Sequence, residues 1–86
     1  MNPKKAANLV QEDADGHLIV LDGDNGQVHK LNPTAAMILE LCDGALSAEE
    51  IAAEVASACD VDVSLITDDV RATLAEFAEK DLISLA

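Results

Sequence analysis

Hydrophobic and polar positions change period along the chain, and each change marks an element. Within Gly16–Asp22, Leu18 to Leu21 is a continuous apolar run rich in β-formers and bounded by turn residues, which predicts a buried strand. Asn8–Glu12 is a weaker strand ahead of it. The stretch Asp22-Gly-Asp-Asn-Gly26 is dense in residues that tolerate positive φ, and Asn25-Gly26 is a hairpin signal. Gln27–Leu31 alternates in polarity and returns antiparallel as a third strand.

The period then becomes helical. Asn32 suits a helix cap through its side-chain oxygen, and Pro33 fits the first helical position, where no N–H is needed. This helix runs to about Cys42, with Ala35, Ile38, Leu39 and Cys42 on one stripe widened by Met37 and Leu41, and Asp43-Gly44 ends it. Ser47-Ala-Glu-Glu50 has the form of a capping box. It opens a second helix to about Cys59, with Ile51, Val55 and Ala58/Cys59 inward and Glu49, Glu50 and Glu54 toward water. A third helix starts near Ser64 and repeats Ile66, Val70, Leu74 (with Thr73) and Phe77 at i, i+4, i+8 and i+11. Leu82–Leu85 is a short apolar tail that packs back onto the core. Residues 1–7 read as a flexible N-terminus ahead of a domain spanning 8–86.

The order β-β-β-α-α-α predicts an α+β fold of winged helix-turn-helix-like form. A three-stranded antiparallel sheet cannot bury its face alone, so the three helices that follow must cover it.

Composition narrows the function. The 86 residues suffice for one small domain, and with Phe77 as the sole aromatic the core must be aliphatic. A chain of this size has little room for a deep catalytic cleft. Five basic against seventeen acidic residues give a net charge of −12, which opposes nucleic-acid binding, since phosphate contacts need clustered Lys and Arg. The second helix holds neither, and the third holds only Arg71 and Lys80 among Asp68, Asp69, Glu76 and Glu79. Cys42 and Cys59 form no C-x-x-C and read as reduced thiols of a cytoplasmic protein. No apolar run approaches the ~18–20 residues of a membrane span, and Met1-Asn-Pro-Lys-Lys lacks the apolar region of a signal peptide.

Candidate chemistry is sparse. His17 and His29 lie on neighbouring strands without the spacing of further ligands that a metal needs, so neither a metal nor a cofactor is expected. No arrangement of nucleophile and base stands out, and no catalytic residue is expected. Ser64-Leu65 faintly resembles the Asp-Ser-Leu site of acyl carrier proteins. Val63 replaces the aspartate there, however, and Ser64 reads more simply as a cap. The feature that remains is the third strand. At the edge of a three-strand meander its outer backbone groups have no partner in the chain, and an extended peptide can add there as a fourth strand.

At Leu31-Asn-Pro-Thr-Ala-Ala-Met-Ile-Leu-Glu-Leu-Cys-Asp-Gly44, then a capped acidic helix, then Ile66-Thr-Asp-Asp-Val-Arg-Ala-Thr-Leu-Ala-Glu-Phe77, the chain resembles the pyrroloquinoline quinone biosynthesis protein D (PqqD) family. The resemblance covers about residues 16–85. It implies a peptide chaperone, a recognition element that grips the leader of a ribosomally made precursor peptide and presents it to a modifying enzyme, often a radical SAM enzyme. In that family the leader adds to the third strand, in the groove against the third helix. Carried onto this chain, the resemblance implicates Val28, His29, Lys30 and Leu31 as the strand ladder and Arg71, Leu74, Ala75 and Ala78 as the helix wall. Where the family often has Tyr before Leu-Asn and Trp in the first helix, this chain has His29 and Leu39, and Asp81 stands where a glycine commonly follows the last helix. The rival reading, from another class, is a winged-helix regulatory or dimerising interaction module that binds no leader. Exposed strand edges are compatible with a homodimer.

Overall fold

The structure, a computed structural model, describes residues 2–84. Its elements are β1 (Lys4–Lys5), β2 (Leu9–Ala14), β3 (His17–Asp22), β4 (Gln27–Leu31), α1 (Pro33–Glu40), α2 (Ala48–Cys59), α3 (Val63–Glu79) and β5 (Ile83–Ser84). The expected α+β architecture is present: β2, β3 and β4 pair antiparallel in that order, and three helices follow.

Strand β2 runs two residues further than its apolar content suggests, to Ala14, because a two-residue turn closes it onto β3. Asp15 and Gly16 have φ of 51° and 80°, the positive pair that a tight hairpin requires. The second hairpin turns at residues 23–26, where the Asp22 carboxylate is the organising group. Its Oδ1 accepts from the Asp24 N–H at 2.9 Å and the Asn25 N–H at 3.3 Å, and its Oδ2 accepts from the Asn25 side chain at 2.9 Å. Asp22 is a buried acid on the inner face of the sheet, and these bonds are what make its burial tolerable.

The first two helix starts follow the sequence. Asn32 Oδ1 accepts from the Ala35 N–H at 2.8 Å, and Ser47 and Glu50 complete the reciprocal capping box. On α3 the cap is Asp62 rather than the expected Ser64, which lies inside the first turn and donates its N–H and hydroxyl to the Asp62 carboxylate. The α1 helix stops at Glu40, two residues before the expected end. The chain beyond it is recruited by the N-terminal segment: the Lys5 N–H donates to the Cys42 carbonyl at 2.8 Å, and Lys4 bridges Asp43.

That segment is a departure from the flexible lead-in expected for residues 1–7. Pro3 is fully buried, Lys4 and Lys5 pair with Ser84 and Ile83, and the Ala6 N–H donates to the Leu82 carbonyl at 2.9 Å. The expected tail packing is seen for Leu82 and Ile83, both buried, while Met1 and Leu85 lie outside the described residues.

One aliphatic core joins all layers, from Leu18 and Val20 on the sheet through Ile38 and Leu39 on α1 to Val70, Leu74 and Phe77 on α3. Each fully buried side chain of this kind contributes about 1.5–3 kcal/mol. On α2 the buried set is Ile51, Ala52, Val55 and Ala56, whereas Ala58 and Cys59 are exposed. Ala58 lies off the inward stripe that runs through 52, 55 and 56, whereas Cys59 shares that face by spacing and is exposed because it is the last residue of the helix.

Candidate functional site

Strand β4 lies at one edge of the sheet, and no described strand pairs with its outer side. Its side chains alternate as the pleat demands. His29 and Leu31 turn inward beside Val20 and Leu18, with which they are in register, while Val28 is 64% exposed and Lys30 is exposed on the opposite face. Backbone groups alternate with the same period, so only every second residue of β4 offers its N–H and C=O outward. His17 points away from the inner face, so the two histidines occupy opposite faces and cannot share a metal. Among the described residues no cluster of three or more His, Cys, Asp or Glu is arranged to hold one.

Three residues beyond β4 an apolar cleft of about 280 Å³ opens. Thr34 and Ile38 of α1 form one side, and Val55 and Cys59 of α2 with Val61 close its end. Ile66, Asp69, Val70 and Thr73 of α3 form the other. The floor is core (Ile38, Val55 and Val70 are all buried), and the rim is polar. Leu65 beside it is 72% exposed, so apolar surface continues outward from the cleft.

Arg71, Leu74, Ala75 and Ala78, the expected helix wall, do not line this cleft. Arg71 is ion-paired to Glu49 of α2, Leu74 is core, Ala75 is exposed, and Ala78 is half-buried against the core. At 100° per residue this stripe sits roughly 130° round the helix from the one that lines the cleft. Ile66, Val70 and Thr73 had read as core positions. The signal that separates them is polarity: Asp69 and Thr73 interrupt the apolar stripe, and a stripe with polar members cannot be sealed.

Local electrostatics favour a quiet surface rather than a reactive one. Burial pushes the Asp22 carboxyl up, but its hydrogen bonds from Asp24 and Asn25, helped by nearby His29, hold it below the ordinary carboxylate range. The backbone N–H of Glu49 and its Arg71 partner hold the Glu49 carboxyl down in the same way. Burial pushes the Cys42 thiol up to about 11, and its Sγ donates to the Ile38 carbonyl at 3.2 Å, so it stays protonated. One polar atom of the site is unsatisfied: His29 Nε2 is buried with no hydrogen-bond partner.

A three-stranded antiparallel sheet with β4 at one edge, followed by three helices that line an apolar cleft, defines the winged helix-turn-helix-like class of fold. The sequence matches Coenzyme PQQ synthesis protein D (PqqD) over residues 17–83, and the chain belongs to that family. Two solved structures share the fold. One is TbiB1 in complex with the TbiA(beta) leader peptide, with a TM-score of 0.81 at 23% identity, covering 96% of each chain. The other is a lasso peptide synthetase B1 complexed with the leader peptide, with a TM-score of 0.80 at 21% identity, covering 98% of this chain and 99% of that one. No curated protein matches the sequence.

Proposed function

We propose that this domain is a peptide chaperone that captures the leader of a ribosomally made precursor peptide and presents it to a modifying enzyme. The observation that carries the reading is the open β4 edge, with an apolar cleft bordered by Thr34 three residues past the strand, on a fold whose solved counterparts hold leader peptides. The leader adds as a strand along Val28, His29, Lys30 and Leu31, where backbone hydrogen bonds fix its register. Continuing past Leu31, it lays apolar side chains into the cleft between Thr34 and the Ile66–Thr73 face of α3, which sets specificity. The domain works without a cofactor and catalyses nothing itself. Its enzyme partner is a radical SAM maturase, as the family resemblance implies, and it acts in the cytoplasm. No described helix is long and apolar enough to cross a membrane.

An amide-shift NMR titration with the leader segment of a precursor encoded beside this protein tests the reading. Saturable shifts confined to β4, Thr34 and α3 are expected. An intact spectrum that does not move at millimolar leader would rule out leader capture and favour the regulatory or dimerising module.

A further inference from the structure

The face of the sheet turned away from the helices is more apolar than a solvated face needs to be. Val10, Leu21 and Val28 stand directly across from one another on β2, β3 and β4, and they are 61%, 39% and 64% exposed. The next row on this face is Glu12, Ile19 and Lys30, also in direct register. Glu12 and Lys30 therefore flank the apolar centre at opposite edges, about 10 Å apart across two strand spacings. The one ion pair among the described residues is Arg71–Glu49, so neither charge has an ion-pair partner among the described residues.

This pattern is self-complementary. A two-fold axis parallel to β3 lays a second copy's β4 over β2 and its β2 over β4. Leu21 then meets Leu21, Val10 meets Val28, and each Glu12 faces a Lys30. Two sheets packed face to face sit about 10 Å apart with strands aligned to within about 30°, a separation that aliphatic side chains of this size fill. We propose that two copies of this chain dimerise through this face, stacking their sheets while both β4 edges stay open. A different protein on the same face would have no need of a charge pair placed symmetrically about β3.

The association is weak by construction. The face is small beside an ordinary stable interface, and a net charge of −12 on each copy opposes it. At about 0.15 M salt the screening length is about 8 Å, which confines repulsion to groups near the contact.

Sedimentation velocity from micromolar to millimolar protein is the test, with circular dichroism confirming the fold of each variant. Wild type shifts from monomer to dimer across this range. Leu21→Glu stays monomeric, as does Val28→Glu, which alters a more exposed position. Glu12→Lys and Lys30→Glu each weaken the dimer roughly tenfold by setting like charges opposite. The double swap Glu12→Lys/Lys30→Glu restores it, and an equimolar mixture of the two single variants forms a heterodimer. A wild type monomeric at every concentration overturns the proposal. So does a dimer that Leu21→Glu and Val28→Glu leave intact, or a double swap no stronger than its parents.

Discussion

Leu82 reaches back over the end of α3 and donates its N–H to the Phe77 carbonyl at 2.8 Å. That bond closes the helix only because Asp81 between them adopts a left-handed conformation, with φ of 59°. An aspartate tolerates this region better than most residues but remains strained there, whereas glycine does not. Asp81→Gly is expected to stabilise the domain by about 0.5–1 kcal/mol in urea unfolding. An unchanged or lower midpoint would mean that the aspartate side chain contributes something the strain argument omits.

The Asp22 carboxylate links stability to pH. Its folded pKa lies below the ordinary carboxylate value of about 3.9, so its contribution is full above that value. It is lost as pH falls through the depressed folded value. Asp22→Asn should therefore lower the urea midpoint at neutral pH, and the gap to wild type should close as pH falls below about 3.9. A gap of constant size down to strongly acid pH would contradict the account of the 23–26 turn.

The two thiols should differ sharply in reactivity. Cys59 is exposed, while Cys42 is buried with its thiol raised to about 11. Ellman's reagent should titrate a single thiol in the native protein and both in denaturant. Rapid modification of Cys42 under native conditions would show that the contact between the N-terminal segment and α1 opens readily.

His29 holds a buried nitrogen without a partner, a deficit that costs about 1–3 kcal/mol. Replacing it with leucine, which keeps the inward packing, should raise stability by about 1 kcal/mol. Thermal unfolding of His29→Leu reads this directly, and a loss of stability would mean that the imidazole is satisfied in solution by a group not apparent here.

The strand and helix contributions to leader capture can be separated. Proline at whichever of Val28 and His29 turns its N–H outward should leave the fold intact and weaken leader binding at least about tenfold. Filling the cleft with Thr73→Phe should do the same, while Arg71→Ala should change the affinity less than about twofold. Calorimetry that found the opposite ranking of Thr73 and Arg71 would return the helix wall to the Arg71 side of α3.

Much of this was legible in the chain, and the failures have physical causes. The Asn32 and Ser47 caps, the β3 run and the α3 stripe each rest on local chemistry, and each is where the pattern put it. Asp15-Gly16 was just as local a signal for the β2–β3 turn, but it sat in the shadow of the richer turn that follows. The pairing of Lys4–Lys5 with Ile83–Ser84 spans the whole chain, and two lysines carry no strand signature. The α3 face that lines the cleft was hidden for a related reason. Periodicity shows which side of a helix is apolar, not whether a neighbouring helix covers all of it.

That pairing of the first strand with the last also sets how the domain can be wired. Entry and exit adjoin on a small two-stranded patch of their own, apart from β4 and the cleft. Such a unit can be spliced into a surface loop of a larger polypeptide, or reopened at the 23–26 hairpin with its old ends joined by a short linker, leaving the cargo-carrying edge undisturbed.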